Sequence, residues 1–111
     1  MDSENNLLKW LQDWYFDQCD EEWEHSFGIK IETLDNPGWS VIIDITDTYL
    51  EKNPLERVSI ERSEDDWLDC SVIDQQFRGY GGAQNLKEIL ETFKSWATVH
   101  SWKEPMTAMR E

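Results

Sequence analysis

Apolar residues recur along residues 5–18 at the spacing of one helix face. Leu7, Leu8, Leu11, Trp14 and Tyr15 form the stripe, and Gln18 closes it. Asn5 or Asn6 is placed to cap the start. Acids crowd the stretch Cys19–Glu22, the negative end of the helix dipole, so the helix should fail there. Over residues 27–34 the period changes to two: Phe27, Ile29 and Ile31 share one face, and Lys30 and Glu32 share the other. Asp35-Asn36-Pro37-Gly38 then supplies turn chemistry, with Pro presetting φ and Asp or Asn bonding the local backbone. Trp39, Val41, Ile43 and Ile45 alternate with Ser40, Asp44 and Thr46. Two alternating runs around such a turn predict a β-hairpin.

Residues 47–55 are polar and contain Asn53-Pro54, which predicts a loop with at most one helical turn. Val58 and Ile60 mark a third strand. Leu68, Cys70 and Val72 mark a fourth, and Phe77–Tyr80 is a short fifth ended by Gly81-Gly82. Asn85 and Glu88 have capping-box spacing ahead of a stripe of Leu86, Ile89, Leu90, Phe93, Trp96 and Ala97. This predicts a second helix ending near His100 or Trp102. The element order is helix, five strands, helix, with short links between strands. It predicts an α+β fold with an antiparallel sheet in a meander, both helices on one face. The other face would carry Lys30, Glu32, Asp44, Glu61 and Asp69 and stay wet. One domain is expected over residues 1–102, with residues 103–111 as a frayed tail.

Charge changes this picture more than composition does. The 111 residues hold 24 acids and 10 bases, a formal net charge of −14. Such a chain repels nucleic-acid backbones and anionic membranes, so neither is the expected partner. Seven Trp, three Tyr and four Phe provide enough apolar mass for a core, unlike an acidic disordered chain. No segment approaches the roughly 20 apolar residues of a membrane span. The acidic N-terminus lacks a signal-peptide pattern, so a cytoplasmic location is expected. Cys19 and Cys70 fit reduced thiols there.

The acidity is uneven. Residues 1–25 hold eight acids and one base, whereas residues 84–111 hold four of each. Two clusters stand out: Asp20-Glu21-Glu22 with Glu24, and Glu61 with Glu64-Asp65-Asp66 and Asp69. Charge runs are usually solvated loops. Yet solubility needs a net charge of only about 2–8 in a small domain, so the excess points to a basic partner.

Catalytic and metal chemistry find little support in the pattern. Cys70 sits mid-strand in phase with the apolar set and reads as core, and Cys19 lies among acids that blunt a thiolate. Cys19, Asp20, Glu22, Glu24 and His25 offer plausible metal-ligand types, but their spacing matches no metal template. Tyr80-Gly81-Gly82 ahead of a helix lacks the lysine and further glycines of a phosphate loop. No cofactor is implied. Trp39 falls in phase with Val41, and Trp67 falls out of phase with Leu68, towards the opposite sheet face. Trp23, flanked by carboxylates, is either an interface anchor or a plug at the end of the core.

A family resemblance spans residues 7–97. The residues carrying it are Trp10-Leu11-Gln12, Trp14-Tyr15, Cys19, Trp23-Glu24-His25, Gly28-Ile29, Ile31, and Thr33 through Trp39. Glu61-Arg62-Ser63-Glu64, Asp66-Trp67, Gly79-Tyr80-Gly81-Gly82 and Asn85-Leu86 continue it. Together they resemble the immunity protein 53 family of bacterial polymorphic toxin systems, whose hallmarks appear here as Trp23-Glu24 and Gly38-Trp39. The resemblance implies a small cytosolic antidote that binds a cognate toxin domain encoded beside it, and it brings no catalytic residues. Joined to the charge argument, it implies a basic toxin, for example a nuclease, occluded stoichiometrically. The expected contacts are Asp20, Glu21, Glu22, Trp23 and Glu24, a second patch of Glu64, Asp65 and Asp66, and the turn residues Asp35 and Asn36. The competing readings are a small hydrolase or transferase using Cys19 and His25, and a generic acidic interaction module.

Overall fold

A computed structural model describes residues 3–100. The expected tail, residues 103–111, lies outside them. The elements are α1 (Ser3–Gln18), α2 (Trp23–Ser26), β1 (Ile29–Leu34), β2 (Gly38–Asp44), β3 (Val58–Ser63), β4 (Asp66–Ile73), β5 (Gln76–Gly82) and α3 (Leu86–Val99). The fold is α+β: one open, five-stranded antiparallel sheet with an N-terminal and a C-terminal helix.

The strand order is β1-β2-β5-β4-β3. A hairpin (β1-β2) and a three-stranded meander (β3-β4-β5) are therefore present, but the single consecutive meander is not. Strand β2 pairs with β5 rather than β3, from Gly38 opposite Gly82 to Asp44 opposite Gln76. The cause is the segment 45–57, which carries the chain past the ends of β5 and β4 to the far edge. Indole N–H groups and one tyrosine pin it. Trp23 Nε1 donates to the Thr46 carbonyl (2.8 Å) and Trp96 Nε1 to the Pro54 carbonyl (2.9 Å). Trp14 Nε1 donates to Tyr49 Oη, which donates onward to the Ala97 carbonyl, each at 3.2 Å. Leu50 in this segment is fully buried.

The register divides the strand residues into two faces. Ile43, Val41, Phe77, Gly79, Leu68, Cys70 and Val72 lie on the covered face, under the helices. Phe93 of α3 is the hub of the core, with ring centroids 5.0 Å from Trp14, 5.1 Å from Phe77, 5.9 Å from Trp10 and 6.1 Å from Trp96. Edge-to-face aromatic contacts of this kind add to area burial. The helix comes close to β5 because Gly79 lacks a side chain: a Cβ there would overlap Ile89 Cγ2. Cys70 is fully buried, as its phase implies, and burial pushes its thiol pKa up to about 12, so it stays protonated and unreactive.

A helical turn, Trp23–Ser26, follows α1. Three local expectations are corrected. Helix α1 already includes Asn5 and Asn6, so neither caps it. Phe27 precedes β1, and Ile31 is 40% exposed, because β1 is an edge strand that the helices do not cover along its length. Asn85 occupies the N-cap of α3 but makes no side-chain cap bond. Its amide instead donates to Asp66 Oδ1 (2.9 Å) and Glu88 Oε1 (2.7 Å).

Candidate functional site

The register sends a second set of residues to the face that neither helix covers. Rows cross it strand by strand. Glu32, Ser40, Tyr80, Asp69 and Ser59 form one row, and Lys30, Ile42, Arg78 and Ser71 form the next. Trp67 stands opposite Glu61 and diagonal to Tyr80, within side-chain reach at about 7–8 Å. Tyr80, Trp67, Ile42 and Arg78 are half-buried, and Ile73 is exposed. Antiparallel sheets often leave one face wet, with alternation to polar residues. The expected wet residues Lys30, Glu32, Asp44, Glu61 and Asp69 are all here. Two aromatics, two aliphatics and an arginine stand among them, an interface-like composition.

Two hollows shape this face. One, of about 520 Å³, is lined by Phe27, Lys30, Ile42, Asp44 and Arg78 among others. The other, of about 340 Å³, is lined by Glu61, Glu64, Trp67 and Asp69 among others. Gln76 Nε2 and the Gly28 amide donate to the two Asp44 oxygens, at 2.8 and 3.0 Å. Arg57 forks onto Asp69 and holds its carboxyl below the usual range.

The anticipated acidic contacts fall at opposite ends of the sheet. Asp20–Glu24 lies where Trp23 meets Thr46 and Gly28 meets Asp44. Asp35 and Asn36, exposed in the β1–β2 turn, lie at the other end, where Gly38 pairs with Gly82. The β3–β4 turn is there too, since a Cβ on Gly82 would strike the Asp65 carbonyl. Asp35 and Asn36 therefore join the Glu64–Asp66 patch, not the Asp20–Glu24 patch. At about 3.3 Å per residue, β2 separates the two by roughly 20 Å.

Several of these acids have structural duties. Asp20 Oδ1 accepts from the amides of Glu22 (3.0 Å) and Trp23 (2.9 Å), which lower its carboxyl pKa. Glu24 Oε1 accepts in return from the amides of Asp20 (3.0 Å) and Glu21 (3.2 Å). The pair works like a capping box around Glu21, whose φ of 79° is left-handed. Asp66 is gripped by both nitrogens of an Arg62 fork (2.9 and 3.0 Å), which, with Asn85, lowers its pKa. Arg62 also reaches Glu88 at 2.6 Å. The carboxylates of Glu21, Glu22, Glu64 and Asp65 are exposed and make no hydrogen bond or ion pair among the described residues.

Trp23, one of the expected contacts, is buried rather than displayed at the surface. It is 5% exposed, and its ring lies about 6 Å from those of Trp14, Tyr15 and Phe27. It plugs the end of the core, the other role its position allowed. The uncovered face also carries Tyr80, Ile42 and Arg78, which are not among the expected contacts. The period-two count through Phe77 and Gly79 puts Arg78 and Tyr80 on the same face as Trp67.

Cys19 and His25 do not form a nucleophile–base pair. The Cys19 thiol donates to the Tyr15 carbonyl (3.4 Å), and His25 is exposed on α2. Among the described residues no group of three His, Cys, Asp or Glu side chains could hold a metal. None of the described helices is long and apolar enough to cross a membrane.

The described residues form an α+β domain with one sheet face left uncovered by its helices. The family model for Immunity protein 53 matches residues 8–98, and the chain belongs to that family. The match takes in α1 from Leu8, the whole sheet and nearly all of α3. No curated protein and no solved structure matches the chain. Several residues that carry the resemblance make structural contacts here. Trp23-Glu24 closes the core and its turn, and Trp39 Nε1 donates to the Ala83 carbonyl (2.9 Å). Arg62, Asp66 and Asn85 tie the β3–β4 turn to α3.

Proposed function

We propose that this immunity protein neutralises a basic toxin domain, such as a nuclease, by one-to-one occlusion through its uncovered sheet face. The supporting observation is that face itself: Trp67 and Tyr80 stand on a rigid sheet between turns that carry unpaired carboxylates. Aromatics in a desolvated centre supply affinity, and the acidic rim supplies steering and register. Glu21 and Glu22 at one end, with Asp35, Asn36, Glu64 and Asp65 at the other, form that rim. Asp20, Glu24 and Asp66 add to the field while holding their turns. Nucleic acid and anionic membranes are disfavoured as partners by the −14 charge. The antidote acts in the cytoplasm and works as an inhibitor, without turnover.

The test is the salt dependence of association with the co-encoded toxin domain, followed by stopped-flow fluorescence. The association rate should fall about tenfold between roughly 50 and 500 mM salt, as screening shortens the reach of the rim. A variant carrying Glu21→Gln, Glu22→Gln, Glu64→Gln and Asp65→Asn should start lower and lose most of that slope. A rate indifferent to salt would refute the electrostatic part of the proposal.

A further inference from the structure

The sheet has two edges, and they are guarded differently. Strand β3 is interrupted by a register shift between Glu61 and Ser63. Bulges of this kind protect edges from pairing. Strand β1 has no such device: all six of its residues, Ile29 to Leu34, pair in unbroken register with β2, and its outer edge pairs with no described strand. Its helix-side residues include Ile29 and the 40% exposed Ile31. Helix α1 carries exposed apolar residues: Leu8 is 54% exposed, Tyr15 39% and the adjacent Phe16 75%. A hollow of about 380 Å³, lined by Leu11, Gln12, Tyr15, Gly28 and Ile29, joins that helix to the strand.

We propose that two copies of the chain associate through β1, edge to edge, about a two-fold axis normal to the sheet and midway between Ile31 and its copy. The charge pattern selects this occupant and this register. Such an axis preserves the faces of the sheet, so a residue must face its own copy across it. Centred on Ile31, antiparallel pairing sets Lys30 opposite Glu32 of the second copy and Glu32 opposite its Lys30. Centred on Lys30 or on Glu32, it sets like charges opposite each other. An edge lysine ordinarily deters pairing; here a counter-charge two residues on relieves one register and leaves its neighbours penalised.

The result is isologous, with each patch meeting its own copy. Ile31 packs on Ile31 and Ile29 on Thr33 on the helix side. The two α1 flanks lie on that same side, so Leu8 and Tyr15 add apolar area that a six-residue edge alone lacks. Both uncovered faces end on one side of a ten-stranded sheet. The inference does not rest on the toxin-binding reading, since it uses the edge and the α1 flank.

Sedimentation velocity on the full chain tests it, over about 1–300 µM protein at about 0.15 M salt, where screening reaches about 8 Å. Wild type should show a concentration-dependent dimer. Lys30→Glu and Glu32→Lys should each weaken it at least tenfold, because each creates two like-charged cross-strand pairs. The double swap Lys30→Glu with Glu32→Lys should restore it to within about threefold, since the pattern is again self-complementary. Both positions are exposed, so the variants should fold; matching melting curves verify this. A monomeric wild type, single swaps without effect, or a double swap that fails to restore the dimer would each overturn the proposal.

Discussion

Trp23→Ala should destabilise the fold by about 3–5 kcal/mol, the range for truncating a buried aromatic. In a domain of this size that lowers Tm by at least about 12 °C. The reason lies in what the indole joins. Its ring contacts Trp14 and Tyr15 of α1 and Phe27 ahead of β1, and its N–H holds the Thr46 carbonyl at the start of the segment that crosses to β3. Removing it opens a cavity at the end of the core and frees one anchor of that segment. Trp23→Phe keeps a ring but loses the N–H, and should cost about 1–2 kcal/mol. Glu21→Gln and Glu22→Gln, exposed in the same loop, should stay within about 0.5 kcal/mol of wild type. Thermal and urea denaturation measure all four. If Trp23→Ala melts within a few degrees of wild type and loses toxin binding instead, the residue is an interface anchor after all.

Trp67→Ala and Tyr80→Ala should produce the opposite pattern. Each side chain is half-buried on the face without helices, so stability should change by about 1 kcal/mol or less. Affinity for the toxin domain should fall by about 2 kcal/mol or more in each case, roughly a thirtyfold rise in Kd. The two are diagonal neighbours across β4 and β5, so their losses need not add. Leu8→Ala, on the helix side of the molecule, serves as the control and should leave Kd within about threefold. Isothermal titration of each variant against the toxin domain decides the matter. Kd values unchanged for both Trp67→Ala and Tyr80→Ala would move the contact surface elsewhere.

Much of the fold is legible from spacing because period two and period 3.6 are local signals. Val41, Ile43, Phe77, Leu68 and Cys70 alternate into the core, and Ile89, Leu90, Phe93, Trp96 and Ala97 repeat along one helix face. What spacing does not contain is which strands are neighbours. The segment between Ile43 and Val58 is too long for a hairpin turn, and that length was the available sign that β2 would not pair with β3. The indole anchors that settle its path join residues more than 20 positions apart. The candidate site divides in the same way. Parity alone puts Trp67 on the opposite face. Trp23 could not be assigned, since a tryptophan among carboxylates fits a core plug and a surface anchor equally well. Asp20, Glu24 and Asp66 look like free charges in the sequence, and only the geometry shows backbone amides and Arg62 claiming them.

The proposed mode of action is inhibition by occupancy. The most direct measurement titrates a fixed amount of active toxin domain with this protein and follows residual toxin activity. Residual activity should fall linearly and reach zero at one chain per toxin domain, with the complex persisting intact on size exclusion. Complete inactivation at a small fraction of an equivalent, with toxin recovered chemically altered, would contradict occupancy and establish catalysis instead.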